Sequence, residues 1–243
     1  MEVTHPDHIK DLAKSGLDDS TITELGIKTI LPRDIDRHIG YKDERVHSLL
    51  CFPYPLTDGF CRDKVFPTLT DSGGHSIRYL QRKGTGCHLY FPLLAQSVFI
   101  SSVPLYFTEG EKKAAKACKD GYHTIGLGGL WNFPCPEEEG ISFLRRLIFL
   151  VPDSDSWKRA SLLWAVFSFG SHLEGRGAFV RVLKIPQVGI DKVGLDDFLV
   201  MGGKLEKCEE IPLSHWIFTL SRNLEFKRQS REKKKWQKLK KSN

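Results

Sequence analysis

Residues Val103-Pro104-Leu105-Tyr106-Phe107-Thr108-Glu109-Gly110-Glu111-Lys112-Lys113-Ala114-Ala115-Lys116-Ala117-Cys118-Lys119 pair a strand pattern with a helix pattern. A short apolar run, Val103 to Thr108, stops at Glu109-Gly110. It gives way to an amphipathic segment, Glu111 to Lys119, with Ala114, Ala115 and Cys118 on one side. The first run is strand-sized, and the second has helical spacing. The pattern recurs downstream. His123 to Leu127 is a second predicted strand, closed by Gly128-Gly129, and Leu147 to Val151 is a third, ending at Pro152-Asp153. Ser156 to Leu173 is a predicted helix, apolar around most of its circumference and therefore buried. Ala178 to Ile185 is a fourth strand, and Gly194 to Leu199 opens a short helix. Such alternation predicts an α/β fold, a parallel sheet flanked by helices on both faces.

Upstream the pattern differs. His5-Pro6-Asp7 starts a short helix with Ile9, Leu12 and Ala13 as its apolar stripe, and Gly16 stops it. Asp18 caps a second short helix through Leu25. Val65 to Leu69 and His75 to Leu80, joined by Asp71-Ser72-Gly73-Gly74, form a hairpin, with another short strand at His88 to Phe91. Arg78, Arg82 and Lys83 make a compact basic segment between these strands, followed by Gly84-Thr85-Gly86.

Composition narrows the function classes. The chain has 243 residues, 40% hydrophobic and 27% charged, which fits a folded domain with small appendages. Its net charge of +6 is uneven. From Lys227 onward nine basic residues face the single acid Glu232, so the tail carries an excess of eight and the rest about −2. No apolar run approaches the roughly 20 residues of a membrane helix, and the polar opening does not read as a signal peptide. The six cysteines contain no CxxC pair and match no zinc framework, so reduced thiols in a cytoplasmic protein are expected.

Ligands in parallel α/β sheets bind at the carboxyl ends of the strands. Glu109 follows the first strand, Asp153-Ser154-Asp155 the third, and Asp196-Asp197 lie beyond the fourth. Glu109, Asp153 and Asp155 together would form a cluster of three negative charges, costly unless a cation neutralises it. Oxygen-only donors favour Mg²⁺ (or Mn²⁺), the usual apparatus of phosphoryl transfer. The alternative is that Asp153 and Asp155 form a turn and cap the helix at Ser156.

Three blocks resemble the signatures of a Toprim domain of the primase type: Thr108-Glu109-Gly110-Glu111, Pro152-Asp153-Ser154-Asp155 and Gly194-Leu195-Asp196-Asp197-Phe198-Leu199. Glu109 to Ala114 and Gly194 to Leu199 are similar to the EGEKKA and GLDDFL motifs of Toprim-like proteins of mobile elements. The resemblance covers roughly residues 5–202. It implies a Toprim-like domain at 98–205, preceded by a small helical segment (1–40) and a β-rich basic subdomain (41–97), and followed by an extension with a basic tail (206–243). It also implies catalytic roles for Glu109, Asp153 and Asp155, with Mg²⁺ or Mn²⁺ held by these three and Asp197. Asp196 and Asp197 otherwise only cap a helix. Arg78, Arg82 and Lys83 would border the nucleotide and template path, joined by Lys112 and Lys113 as phosphate contacts or as a solvated helix face.

The implied activity is a Mg²⁺-dependent, primase-like nucleotidyltransferase in replication of a phage, plasmid or integrated element. Its expected partners are single-stranded DNA, nucleotides and a separate replicative helicase, since there is no P-loop motor, and no membrane is expected. The alternatives are a nuclease or a non-catalytic DNA-binding module. Phage primase-helicases usually carry an aspartate where Lys113 stands, which favours the binding module. Two further signals stay open: Gly126-Leu127-Gly128-Gly129 as phosphate cradle or tight turn, and Trp131 as base-stacking or core residue. The tail fits phosphate contacts or simple solvation.

Overall fold

The computed structural model describes residues 2–92, 99, 103–187, 189 and 192–241, with side chains to residue 233. Two sheets organise the chain. In the smaller one, β1 (Lys28–Ile30), β2 (Ser48–Pro53), β3 (Cys61–Thr70) and β4 (Ser76–Leu80) run antiparallel in sequence order. The expected hairpin is β3–β4, with Thr70 opposite Ser76. Its ladder shifts between Lys64 and Leu69, around Pro67, which has no amide proton to give.

The larger sheet has the order β10-β9-β8-β6-β7-β5. Its strands are β5 (Leu89–Tyr90), β6 (Leu105–Glu109), β7 (Thr124–Leu127), β8 (Leu147–Leu150), β9 (Phe179–Lys184) and β10 (Glu209–Pro212). The central four are parallel, as expected; β5 and β10 close the edges antiparallel. Side chains alternate between two cores. Ile148 and Leu150 join Phe107, Val180 and Val182 on the face covered by α5 (Ala160–Gly175) and α7 (Trp216–Lys241). Phe149, Leu183 and Ile185 join Ala117 of α4 (Glu111–Lys119) and Leu195 and Leu199 of α6 (Leu195–Val200) on the other face.

The sheets divide the chain differently from the expected segments 1–40, 41–97, 98–205 and 206–243. Strand β1 pairs with the smaller sheet, so the opening helices α1 (Pro6–Lys14) and α2 (Asp19–Glu24) lead into that sheet. The strand expected at His88 to Phe91 shrinks to β5 and joins the larger sheet, beside β7. The extension contributes β10 and α7 to the larger unit, Phe218 of α7 being fully buried in its core. The boundary at 97/98 lies outside the described residues.

The stripe read on α1 needs correction. Ile9 is 48% exposed and Ala13 is exposed too; His8, Leu12 and the following Ser15 face inward. His8 is fully buried between Thr29 Oγ1 and Ser48 Oγ, each 3.0 Å away, so a polar residue holds an inward position through hydrogen bonds. The tail is a helix through Lys241; the side chains of 234–243, among them Trp236 and Leu239, lie outside the described residues. No described helix is long and apolar enough to cross a membrane. All six cysteines are free thiols.

Candidate functional site

Strand β6 ends at Glu109, and Gly110 (φ 100°) turns the chain into α4 in a conformation that a side chain would strain. Close by, Gly126 lets β7 approach the α4 turn, since a Cβ there would lie 3.1 Å from the Gly110 carbonyl and 3.2 Å from Ala114 Cβ. The glycine run is thus a packing and turn device. A Cβ on Gly128 would stand 3.0 Å from Arg62 Nη1, so this glycine also leaves room for an arginine. Trp131 is 52% exposed and belongs to no core.

The carboxyl ends of β6 and β8 open on a cleft of about 400 Å³. Glu109, Asp153, Asp196 and Asp197 line it from the larger sheet and α6. Arg62, Lys64 and Arg78 line it from β3 and β4, and Asp11 from α1. With Lys14, Lys112, Lys113 and Lys192, seven basic side chains meet five acidic ones. The cleft is therefore an overall basic surface around a carboxylate centre.

Asp153 is that centre, and it is only 4% exposed. It occupies the N-cap position of a 3₁₀ turn, Ser154–Lys158, but its side chain makes no capping bond. Lys113 Nζ lies 2.6 Å from Asp153 Oδ1, and Lys192 pairs with Oδ2. Burial alone would raise the Asp153 pKa, but the two ammonium groups outweigh it and hold the carboxyl below its ordinary value. The converse holds for Lys113: burial pulls it down, and Asp153 pulls it above its ordinary value. Lys192 is placed by its neighbour, since Val193 N–H donates to Ser154 Oγ (2.8 Å) and Ser154 N–H to the Val193 carbonyl (3.0 Å).

The other predicted residues separate. The Glu109 side chain makes no hydrogen bond or ion pair with the described residues, though its charge helps to raise the Lys113 pKa. Asp155 lies off the cleft lining, 3.5 Å from Arg159 Nη1 and 4.0 Å from Lys192 Nζ. Asp197 is exposed, and its carboxylate accepts the Gly194 N–H at 2.9 Å; it caps α6. Asp196 is the buried member, held by Ser15 Oγ at 2.5 Å. Lys112 is no solvated face: it reaches Asp11 (3.0 Å), which also binds Lys64 (2.5 Å). Arg78 borders the cleft. Arg82 faces a different and larger cavity, about 930 Å³, and Lys83 lies over the Tyr41 ring at 5.2 Å.

Carboxylate oxygens are the right donor type for Mg²⁺. In this arrangement they do not fit it: two ammonium groups already occupy Asp153, Lys113 donating to Oδ2 (2.7 Å) while standing 2.6 Å from the otherwise unbonded Oδ1 and Lys192 pairing with the same Oδ2, Asp155 is paired with Arg159, and the Asp197 carboxylate accepts the Gly194 N–H. A divalent ion would also meet the partly buried positive charge of Lys113.

Sequence reasoning missed Arg62, Lys64, Lys192, Asp11 and Ser15. Only the alternation Cys61-Arg62-Asp63-Lys64 carried a signal, since a period of two puts Arg62 and Lys64 on one face of a strand. Arg62 sits there between Glu111 Oε1 (2.9 Å) and the Tyr79 ring (4.8 Å).

Known proteins share this architecture. A family described as a domain of unknown function, DUF3854, matches residues 96–206, from the lead into β6 to the end of the GLDDFL helix and the turn beyond. No curated protein matches the sequence. Among solved structures, the Aquifex aeolicus primase (zinc-binding and RNA polymerase domains) superposes with a TM-score of 0.60 at 11% identity, covering 86% of this chain and 57% of that one. A DNA primase domain from Pseudomonas aeruginosa gives 0.58 at 16% identity, covering 89% and 77%. The DnaG catalytic core gives 0.56 at 16% identity, covering 86% and 74%. The chain thus spans little more than half of the Aquifex chain. At these identities the likeness establishes the fold: the expected α/β sheet, with the helical and β-rich segments before it, is that of primase catalytic cores.

Proposed function

We propose that the chain is a primase-like nucleic-acid-binding protein that takes the phosphodiester backbone of single-stranded DNA into the cleft between its two sheets. The observation that carries this reading is Asp153 clasped by Lys113 and Lys192 within a lining of seven basic and five acidic side chains. Lys192 is 49% exposed, so an incoming phosphate can take up one of its N–H donors while Lys113 keeps Asp153 neutralised. Replication of a mobile element is the setting that the EGEKKA and GLDDFL motifs support.

The test is fluorescence anisotropy with labelled single-stranded DNA at several salt concentrations, in chelator and in Mg²⁺. Binding should persist in chelator, weaken linearly on a log–log salt plot and survive Asp153→Asn. Binding that requires Mg²⁺ and is lost in Asp153→Asn would overturn the reading.

A second reading is metal-dependent nucleotidyl transfer, supported by Glu109, whose carboxylate lines the cleft at the end of β6 with no side-chain hydrogen bond among the described residues and only a coulombic pull on Lys113. It requires both lysines to leave Asp153. Template-directed incorporation of labelled nucleotides in Mg²⁺ or Mn²⁺, abolished by Asp153→Asn, would establish it.

A further inference from the structure

The opposite face of β3 carries a second set of polar side chains. Cys61 and Asp63 alternate with Arg62 and Lys64, so the first pair points away from the cleft. Asp63 stands opposite Cys51 in the β2–β3 register, and His38 reaches the same point from α3 (Ile35–Ile39). One donor atom from each of His38, Cys51, Cys61 and Asp63 lies within 4.8 Å of every other. His38 Nε2 is 2.8 Å from Asp63 Oδ1 and 3.5 Å from Cys61 Sγ.

We propose that these four residues bind one zinc ion. Two sulfurs, one imidazole nitrogen and one carboxylate oxygen make a four-ligand set of borderline and soft donors, which selects zinc over magnesium or calcium. Tetrahedral bonds of about 2.0–2.3 Å place donors roughly 3.3–3.8 Å apart. The nitrogen–sulfur separation already matches, and the nitrogen–oxygen pair need open by only about half an ångström. The environment also fits. Asp63 and Cys51 are almost fully buried, so bulk water does not compete for them. His38, Cys61 and Asp63 border the larger cavity, which gives an ion a way in. Two thiolates and a carboxylate leave a zinc complex one negative charge in excess; Arg82 lines the same cavity, and Lys28 stands opposite Cys51 on β1. The chain spacing of 12, 9 and 1 intervening residues is why no zinc framework shows in the sequence.

The ion would tie α3 to the middle of the smaller sheet, directly beneath the residues that present Arg62 and Lys64 to the cleft. It would act as a structural staple, with no part in chemistry. The proposal is independent of the DNA-binding reading, because binding of metal is measured without DNA.

The experiment is titration of the full, reduced chain with Co²⁺ and then Zn²⁺. One equivalent of Co²⁺ should give thiolate charge-transfer and tetrahedral d–d bands, and Zn²⁺ should displace it. Asp63→Asn and His38→Gln should each weaken metal binding at least tenfold, and Cys61→Ser should remove most of the charge-transfer intensity. In the unmutated chain, Zn²⁺ should slow alkylation of Cys51 and Cys61, found by peptide mapping, and leave Cys208 unchanged. That readout holds even where a variant fails to fold. A folded chain without the Co²⁺ bands overturns the proposal, as do bands that survive Cys61→Ser undiminished or equal alkylation of all three thiols with and without Zn²⁺.

Discussion

Glu138 and Asp153 are both buried carboxylates gripped by two basic side chains, and only one of them faces a cleft. Glu138 is 1% exposed; its Oε2 meets His172 Nε2 at 2.7 Å and Arg176 Nη1 at 3.1 Å, and its Oε1 accepts the Cys135 N–H at 2.8 Å. Both oxygens are used, and the two side-chain partners come from the last turn of α5 (His172) and its C-cap (Arg176). It fastens the segment before β8 onto that helix. Asp153 is neutralised as fully, but by lysines from different places, one of them half exposed on the cleft rim. Neutralising a buried carboxylate is therefore no mark of function. A partner that can be shared with an incoming anion is.

The largest effect should come from the closed cluster. Glu138→Ala removes the partner of His172, Arg176 and a backbone N–H, and should lower unfolding free energy by about 3 kcal/mol, near the low end for a broken buried pair because both side-chain partners keep some water contact. Urea unfolding measures this. DNA affinity of the folded protein should stay within about twofold; a larger drop would join the two clusters into one functional unit.

Asp153→Asn should cost less, about 1–2 kcal/mol, because the amide oxygen still accepts from a lysine. Its effect on binding should have the opposite sign. Removing a negative charge and releasing Lys192 should tighten single-stranded DNA binding a few-fold and steepen the salt dependence by up to about one ion. Weaker binding in this variant would return Asp153 to a metal-dependent role.

How far the residues announced this arrangement differs between the two regions. The larger sheet was legible because its central strands are mostly apolar and feed both faces, Phe149 of β8 serving one core and Ile148 the other. The edge strand β10 was not, because Glu209-Glu210-Ile211-Pro212 is polar and gains its place from pairing with β9. Strand ends located Glu109 and Asp153 at the cleft. They could not locate Arg62, Lys64 and Asp11, which arrive from elements 45 or more residues away in the chain. Carboxylates at strand ends also looked like a metal site until Lys113 and Lys192 were seen to fill the cation's place. Only the tertiary fold brings Lys113 and Lys192, 79 positions apart, onto one carboxylate.

Acid should expose the same pair. Asp153 has a lower pKa folded than unfolded, so the unfolded chain binds the extra proton. The stability of this pair is fully present above the ordinary carboxylate range, near pH 4, and is lost as pH falls through the depressed folded value. Unfolding free energies of the unmutated chain and Asp153→Asn should converge below pH 4, by about 1 kcal/mol relative to their difference at pH 7. A constant difference across that range would mean that Asp153 gains nothing from its lysines.

The smallest effect tests which basic residues belong to the cleft. The sequence groups Arg78, Arg82 and Lys83 in one segment, but the turn after β4 separates them. Arg78 projects from β4 into the cleft, whereas Arg82 faces the larger cavity and Lys83 covers Tyr41. Arg78 is exposed, so Arg78→Ala should leave stability within about 0.5 kcal/mol. It should weaken DNA binding two- to fivefold and lower the salt slope by about one, the signature of one lost phosphate contact. Arg82→Ala and Lys83→Ala should leave both quantities unchanged, though they lie within five residues of Arg78 and carry the same charge. Equal losses from all three would mean that the whole basic segment tracks the nucleic acid and that the bound strand extends beyond the cleft across the outer face of β4. A loss confined to Arg78 would locate the backbone against Asp153 and its lysines, where a cation shared between carboxylate and phosphate distinguishes this cluster from that of Glu138.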